Sequence, residues 1–596
     1  MTSQSVLILA IIGIVAILLI TDRIRSDLIA LLTLIALGLT GLVSPADLFS
    51  GFSRSAVITI MALFIITAGL ERTGATQVLG RHLAQIAGKS EARAVAVIMT
   101  AAATLSLVMN TIASTAVLLP LVVGLARQTH LKLSKLLMPL AFGSLLGGMA
   151  TIFTTANILV SSALVDNGYQ PYGIFDFFPI GLPMAVAGVI FMAVVGRKML
   201  PAHSLGGVND NGQRIRLSEM YGLPQAVSSV YIKQDSQLAG RTLAEGAWAS
   251  QLGLIVVGIT RKGKHVLAPS PKDQVLEGDV VSFTGTLQDQ DQIDYGLVRT
   301  KGPDWHHKFI SGEIGLVEAA LAPRSPFAGK TLTDLKFREK FNLSVLALWR
   351  EGKTHREGLG TMPLRFGDAL LLQGSYDRIE LFRDEPGLIV FKENVDMIPP
   401  GPRAWLAVGL TAAAVTLSAL NILPIAEATF AAAVFMVLSG CLTMDEAYHA
   451  IEWQAIFLIA GMLPLGFALS NAGTASLIGD LLVNLVGQGG ALALAGGLFL
   501  AAMLLTQVIG GQTTAVVLSP IAIAAAQSLQ TDPRAISIAV AVACSTAFLT
   551  PFGHPSNVLV MGPGGYTIRD YTRVGLLLTA LLFVVMLVSL AVSWGV

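Results

Sequence analysis

The chain has 596 residues, of which 53% are hydrophobic and only 13% charged, with a mean hydropathy of +0.69. That balance excludes an ordinary soluble globular composition. A formal net charge of +1 with no concentrated basic face excludes a nucleic-acid partner. The two cysteines, Cys441 and Cys544, fall in or beside apolar segments and exclude a disulfide framework.

Apolar runs of the length needed to cross a hydrocarbon core of about 30 Å recur toward both ends. In chain order they lie near 5–21, 25–44, 55–71, 91–107, 134–163, 175–198, 403–420, 424–440, 453–471, 488–507, 535–562 and 572–594. The chain therefore reads as a polytopic α-helical membrane protein. The first run does not read as a signal peptide, because "MTSQSV" lacks a basic start and a second span follows at once.

Between about 199 and 400 the pattern changes to frequent charges and strand-length apolar runs such as "LGLIVVGI" (252–259) and "LSVLALW" (343–349). This predicts a soluble α/β insert. The insert repeats internally. "AGRTL" at 239–243 returns as "AGKTL" at 328–332, Gly263 returns as Gly352, and Gly278-Asp279 returns as Gly367-Asp368, each shifted by 89 positions (328−239, 352−263, 367−278). No G-x-G-x-x-G follows a strand there, so a dinucleotide-binding Rossmann half is not supported.

The apolar part repeats as well. "GLERTG" (69–74) answers "ALSNAG" (468–473), Pro120 answers Pro520, and Asn157 answers Asn557, at offsets of 399 or 400 (473−74, 520−120, 557−157). Four interruptions stand out, two per half. "VMNTIASTAVLLPL" (108–121) precedes "GGMATIFTTANILV" (147–160), and "VIGGQTTAVVLSPI" (508–521) precedes "FLTPFGHPSNVLV" (548–560). The first of each pair is a polar cluster followed by an apolar stretch ending at proline, too short to span, and reads as a re-entrant hairpin with the cluster at its tip. The second of each pair reads as a helix broken in its middle. Paired repeats with matching breaks are the signature of secondary transporters, and the breaks point at the binding site.

Unwound backbone at membrane depth is tolerated only where it is buried or lines a wet cavity. Its carbonyls, with Asn, Thr and Ser oxygens, can coordinate Na⁺, while half-helix N-termini offer N–H groups and a positive dipole end to an anion. The four clusters contain no Asp, Glu, Lys or Arg, and His554 is their only titratable group. Neutral oxygens and dipoles suit Na⁺ and a small, strongly charged anion, not an organic cation. Structural roles compete: Gly147 and Gly148 can serve close helix packing, a lone Thr can satisfy itself on its own helix, and His554 can be a satisfied interior histidine. Asn110, Asn157 and Asn557 are costlier in hydrocarbon, and they are the stronger site candidates.

"STAFLTPFGHPSNVLVMGPGGYTIRDYTRVG" and "GGMATIFTTANILV" resemble the divalent anion:sodium symporter family, in its bacterial sulfate-permease-like branch. The insert resembles a pair of TrkA-C regulatory domains. The resemblance implies a duplicated, inverted-repeat fold and a homodimer. Each protomer would have a scaffold and a mobile transport domain moving as an elevator. The implied divisions are 1–198, the first membrane repeat with a hairpin at about 108–127; 199–305 and 306–400, two TrkA-C-like domains; and 401–596, the second repeat with a hairpin at about 508–528. Family sodium motifs are Ser-Asn-Thr or Asn-Asn at the tips. Met109-Asn110-Thr111 matches in part, while Gly510-Gly511-Gln512-Thr513 lacks the asparagine, so Gln512 or backbone carbonyls would substitute. One Na⁺ site is expected at Asn110, Thr151 and Asn157, a second at Gly511, Gln512, Thr550 and Asn557. Substrate contacts are expected from Asn110, Thr111, Thr154, Thr155, Gln512, Thr513, His554, Pro555 and Ser556.

Na⁺ is then the coupling ion, without a prosthetic group, and the branch resemblance favours sulfate as the substrate, with a C4-dicarboxylate as the alternative. The implied setting is a bacterial plasma membrane with the insert cytoplasmic, able to bind a cyclic dinucleotide or other nucleotide, or acting only as a structural or dimerising module. The alternatives are a ligand-gated channel, which the lack of a T-V-G-Y-G filter disfavours, and an anion-supply sensor. No Ser/His/Asp or metal-ligand constellation indicates an enzyme.

The basic loop "GLARQTHLKLSK" (124–135) and the insert belong inside by the positive-inside tendency. Two conflicts follow. The stretch around Arg72, Arg81 and Lys89 would face outside if 91–107 crosses. Inverted repeats also need an odd number of crossings between equivalent elements, yet six runs separate 55–71 from 453–471 when the first is counted; 403–420 is the expected non-crossing run.

Overall fold

The computed structural model describes residues 3–596 except 22–23, 76–89, 130, 202–226, 244, 247, 249–251, 253, 263, 271, 286, 301–313, 322–324, 351–352, 366–367, 383–387, 392–401 and 487–488. Gly263, Gly352 and Gly367 of the insert repeat, and Arg81 and Lys89, lie outside the described residues.

The first half consists of α1 (Ser3–Thr21), α2 (Ser26–Leu39), α3 (Pro45–Leu48), α4 (Ser55–Arg72), α5 (Glu91–Ser106), α6 (Thr111–Thr129), α7 (Leu137–Gly148), α8 (Thr155–Asp166) and α9 (Phe178–Phe191), the last continuing through a π-turn to Met199. After the insert, with its short helices α10 (Asp289–Asp294), α11 (Phe337–Phe341) and α12 (Tyr376–Phe382), the series returns. It runs α13 (Pro402–Ala419), α14 (Ile425–Leu438), α15 (Met444–Ala450), α16 (Trp453–Asn471), α17 (Thr474–Val486), α18 (Gly490–Ile509), α19 (Gly511–Ser528), α20 (Pro533–Ala543), α21 (Pro555–Gly564) and α22 (Ile568–Trp594). Each helix of the first half has a counterpart in the second, α17 alone answering to positions outside the described residues. Packing is reciprocal: α2 lies on α16 and α14 on α4, α6 on α21 and α19 on α8. Five described helices are long and apolar enough to cross a membrane: Ser55–Arg72, Phe178–Met199, Trp453–Asn471, Gly490–Ile509 and Ile568–Trp594.

Two expectations change. The apolar stretches do not end at their prolines; α6 continues through Pro120 to Thr129 and α19 through Pro520 to Ser528. An interior proline removes one backbone donor and crowds the carbonyl four residues back. At Pro520 the neighbouring helix makes room, since a Cβ on Gly466 would stand 3.5 Å from the ring's Cγ. The 91–107 run is not an independent element either. It is α5, the first arm of a hairpin whose second arm is α6, and Ser114 Oγ of α6 donates to the Ala102 carbonyl of α5 at 2.9 Å. The hairpins therefore span Glu91–Thr129 and Gly490–Ser528, with tips at 107–110 and Gly510. Gly510 turns with φ +79°, a left-handed angle that favours glycine.

Both long runs with internal Pro, Gly and Asn are pairs of helices. The 134–163 run divides into α7 and α8 around 149–154, and 535–562 into α20 and α21 around 544–554. At the foot of the two pairs a cluster of hydrogen bonds ties distant parts of the chain together. Tyr566, fully buried, donates to the Ser134 carbonyl at 2.6 Å and accepts from Met138 N at 2.8 Å. Ser134 Oγ donates to the Pro201 carbonyl at 2.8 Å. Lys135 Nζ donates to the Arg197 and Leu200 carbonyls at 2.5 and 2.7 Å, closing the helix end that leads to the insert.

The insert holds two five-stranded antiparallel sheets. The strands are β1 (Val227–Ile232), β2 (Ile255–Arg261), β3 (Lys264–Leu267), β4 (Val280–Thr284) and β5 (Leu297–Thr300), then β6 (Ile314–Leu321), β7 (Ser344–Arg350), β8 (Lys353–His355), β9 (Ala369–Ser375) and β10 (Leu388–Phe391). Their orders, β3-β2-β4-β1-β5 and β10-β6-β9-β7-β8, are one topology read from opposite edges. Even the bulge recurs, at Val256/Gly258 and Val345/Ala347. Val257, Leu316, Leu346 and Trp349 belong to one apolar cluster that draws on both sheets. Arg338 of the second copy donates to the Pro269 carbonyl of the first at 2.6 Å, and burial lowers its pKa to about 10.

Candidate functional site

The site candidates gather where four helices begin: α6 and α19 at the hairpin tips, α8 and α21 after the breaks. Each such N-terminus carries N–H groups without intrahelical partners.

In the first half, Asn157 is fully buried. Its Nδ2 donates to the Thr151 carbonyl at 2.7 Å and the Gly148 carbonyl at 3.3 Å. Thr154, the N-cap of α8, also donates to the Gly148 carbonyl. Thr151 Oγ1 reaches back to the Leu107 carbonyl at the tip, 3.1 Å, and Ser106 Oγ donates to Thr111 Oγ1 at 3.4 Å. Asn110 accepts from Ile112 N at 3.0 Å, capping α6. It lines a small cavity with Met109, Phe153 and Thr155, to which Ile60, Leu63 and Phe64 of α4 also contribute.

The second half reproduces this arrangement about 400 positions later. Asn557, also fully buried, donates through Nδ2 to the Ala547 carbonyl at 2.5 Å and the Thr550 carbonyl at 3.3 Å. Thr550 Oγ1 donates to the Gln507 carbonyl at 3.3 Å, as Thr151 does to Leu107, and accepts from Gly553 N at 3.2 Å. His554 is the N-cap of α21, its Nδ1 accepting from Ser556 N at 3.2 Å. Pro555 opens that helix, where its missing N–H costs nothing. Gly511 opens α19 against the break; a Cβ there would stand 2.2 Å from the Cys544 carbonyl. Thr513 is buried in α19.

In both halves the same atom is left over. Asn157 Oδ1 and Asn557 Oδ1 are buried with no hydrogen-bond partner, as are Ser556 Oγ and Ser545 Oγ. A buried acceptor without a donor costs free energy, and here the cost recurs at equivalent positions of the two halves. Both sets lie on adjoining elements, and the Phe142 ring of α7 meets Phe548 of the second break at 4.9 Å. No hydrogen bond among the described residues joins one set to the other.

Gln512 takes no part in the hydrogen bonding of the second break. The amide that does is Gln507, three residues before the tip, which sequence reasoning left inside an apolar span. Its signal was the one that singled out Asn157, an amide where hydrocarbon is expected. Ser106 was missed too, and a lone serine on a helix carries no such signal.

The family model described as citrate transporters matches residues 16–543. This chain belongs to the citrate transporter family. Within the family's wider kinship it is 32% identical to an uncharacterized transporter of Synechocystis, over 97% of this chain and 95% of that protein. It is 21% identical to sodium/sulfate cotransporter 1 of Chlamydomonas reinhardtii, over 90% of this chain and 83% of that protein. A shorter stretch, 24% of this chain and 27% of the relative, is 26% identical to a sodium-dependent dicarboxylate transporter of Staphylococcus saprophyticus. The expected kinship with divalent anion:sodium symporters stands, and the protein is a multi-pass membrane transporter, not an enzyme.

Proposed function

We propose that the protein is a Na⁺-coupled symporter of a divalent anion, sulfate before a C4-dicarboxylate, with one Na⁺ held at each break. The observation that carries this is the repeated asparagine, whose Nδ2 fastens the break while its Oδ1 lies buried and unpartnered. Na⁺ is a hard cation that takes such oxygens together with backbone carbonyls and hydroxyls. Asn110, Thr151 and Asn157 would serve the first ion, and Gly511, Thr550 and Asn557 the second. The anion would sit among the N-termini of α6, α8, α19 and α21, touched by Thr111, Thr154, Thr155, Thr513, His554 and Ser556. Sulfate is favoured because the clusters offer N–H groups and hydroxyls but no arginine fork for a carboxylate. The named sulfate and dicarboxylate relatives support both readings.

In this reading the repeats are inverted. α5 has 16 residues and rises about 24 Å, short of a roughly 30 Å core. If α5 and α6 enter and leave on one side, five crossings separate each element from its counterpart, and 403–420 need not be excepted. Arg72 then faces the same side as the 124–135 loop, which removes the charge conflict. The insert lies on that side, the cytoplasm, as a TrkA-C-like pair. α5 to α9 and α18 to α22 move as the transport domain of an elevator against the other helices.

Proteoliposomes loaded with and without a sodium gradient test this. Labelled sulfate should accumulate against its gradient only with Na⁺, and succinate less so. Accumulation of neither under any cation gradient overturns the proposal, and conductance across a planar bilayer would replace it with a channel.

A further inference from the structure

The second break is longer than the first. α7 holds its helix to Gly148, whereas α20 ends at Ala543, one turn before the equivalent point. The first break closes this region with its own backbone, Met149 N to the Leu146 carbonyl at 3.2 Å and Ala150 N to the Gly147 carbonyl at 3.1 Å. The second makes the same two turns where α20 ends, Ser545 N to the Val542 carbonyl at 3.1 Å and Thr546 N to the Ala543 carbonyl at 2.9 Å, and across the residues that follow, one side chain meets the backbone's needs. Gln507 Nε2 donates to the Thr546 carbonyl at 2.9 Å and the Met503 carbonyl at 3.1 Å. Its Oε1 accepts from Leu549 N and Thr550 N, both at 3.2 Å. The surroundings dictate the amide's orientation: a flip would set N–H against N–H and carbonyl against carbonyl. Leu107, the counterpart in the first half, can do none of this.

We infer that Gln507 is a positioning residue for transport: it holds the opened turn 546–550 in the shape that places Thr550 and Asn557 for the ion and His554 and Ser556 for the anion. This rests on the symport reading for the identity of the cargo but not for the geometry. The role needs a donor and an acceptor on one planar group. A neutral carboxylic acid has both; a carboxylate keeps the acceptor and sets a charge against the Thr546 carbonyl.

Gln507→Glu and Gln507→Leu, in the full chain in proteoliposomes, make the test. Uptake by Gln507→Glu, relative to the unsubstituted protein at each pH, should be near unity on the acid side of the carboxyl's titration and fall at least tenfold on the alkaline side. Gln507→Leu should be low throughout. The ratio cancels other titrations. α18 and α19 carry no titratable residue and the break carries only Cys544 and His554, while the other helices packed on α18 contribute Asp480, Arg534, Arg569, Asp570, Tyr571 and Arg573. A ratio that stays flat for Gln507→Glu, or an unimpaired Gln507→Leu, overturns the inference. Hydrogen exchange separates its failure from failure of the symport reading. In Gln507→Leu, a peptide covering 545–553 should exchange about tenfold faster per lost bond while 146–154 is unchanged, whatever the cargo. Unchanged exchange at 545–553 overturns the positioning role. If Gln507→Leu does not fold, the pH-reversible loss in Gln507→Glu still decides.

Discussion

The molecule contains two duplications, and they have kept different things. In the insert the two copies repeat one charged network residue for residue. Arg261 forks onto Asp279 at 2.9 and 2.8 Å while touching the Gln274 carbonyl. Arg350 forks onto Asp368 at 2.7 and 2.6 Å while touching the Pro363 carbonyl. Each aspartate also takes a backbone donor, from Leu276 or Arg365. In the membrane body the asparagine and threonine of each break are kept, but what surrounds them differs: both helix ends close with backbone turns, and the longer second break also leans on Gln507. The insert's copies thus retain this network whole. The membrane copies retain the asparagine and threonine of the break while the support around them differs.

The largest expected effect breaks the membrane pair. Asn157→Ala and Asn557→Ala should each lower Na⁺-driven uptake roughly a hundredfold, the loss of about 3 kcal/mol of binding and fastening. A variant with normal uptake at either position would make that copy a relic. Next, Thr550→Val should lose about tenfold and Thr151→Val less, because Thr550 also accepts from Gly553 N; equal losses would argue that the breaks are still equivalent.

The insert sharpens the contrast. Asp368→Asn should cost about 2–3 kcal/mol in thermal unfolding of the insert. Asp279→Asn should cost less, since Arg350 is 15% exposed and Arg261 41%. Smallest of all, Arg338→Met should loosen the two sheets by about 1 kcal/mol, seen as faster exchange in β2 without loss of either sheet.

What was legible in the sequence was whatever is chemically out of place. Pro551, Gly553, Asn157 and Asn557 stand in apolar tracts where each is costly, so the breaks and their pairing could be read at once. The 89-position shift marked the insert's repeat in the same way. The hairpin arms were not legible. A short apolar helix in a hairpin has the composition of one that crosses, and Glu91–Ser106 is distinguished by its observed length and by what it packs against. The prolines misled because a helix with room beside it carries Pro520 without ending. Gln507 was hidden by its neighbours: one amide at the end of an apolar run reads as the edge of a span until the backbone it serves is visible.

Tyr566, Ser134 and Lys135 make the hydrogen-bond cluster at the foot of the broken helices a meeting point of distant chain segments. The strand of chain entering the insert is clamped at Arg197, Leu200 and Pro201 to the start of α7, and through Tyr566 to the end of α21. Residues 134–138 thus bind both the end of the helix run at Arg197–Pro201 and the residue that follows α21, so three distant parts of the chain share one anchoring point beside the start of α7.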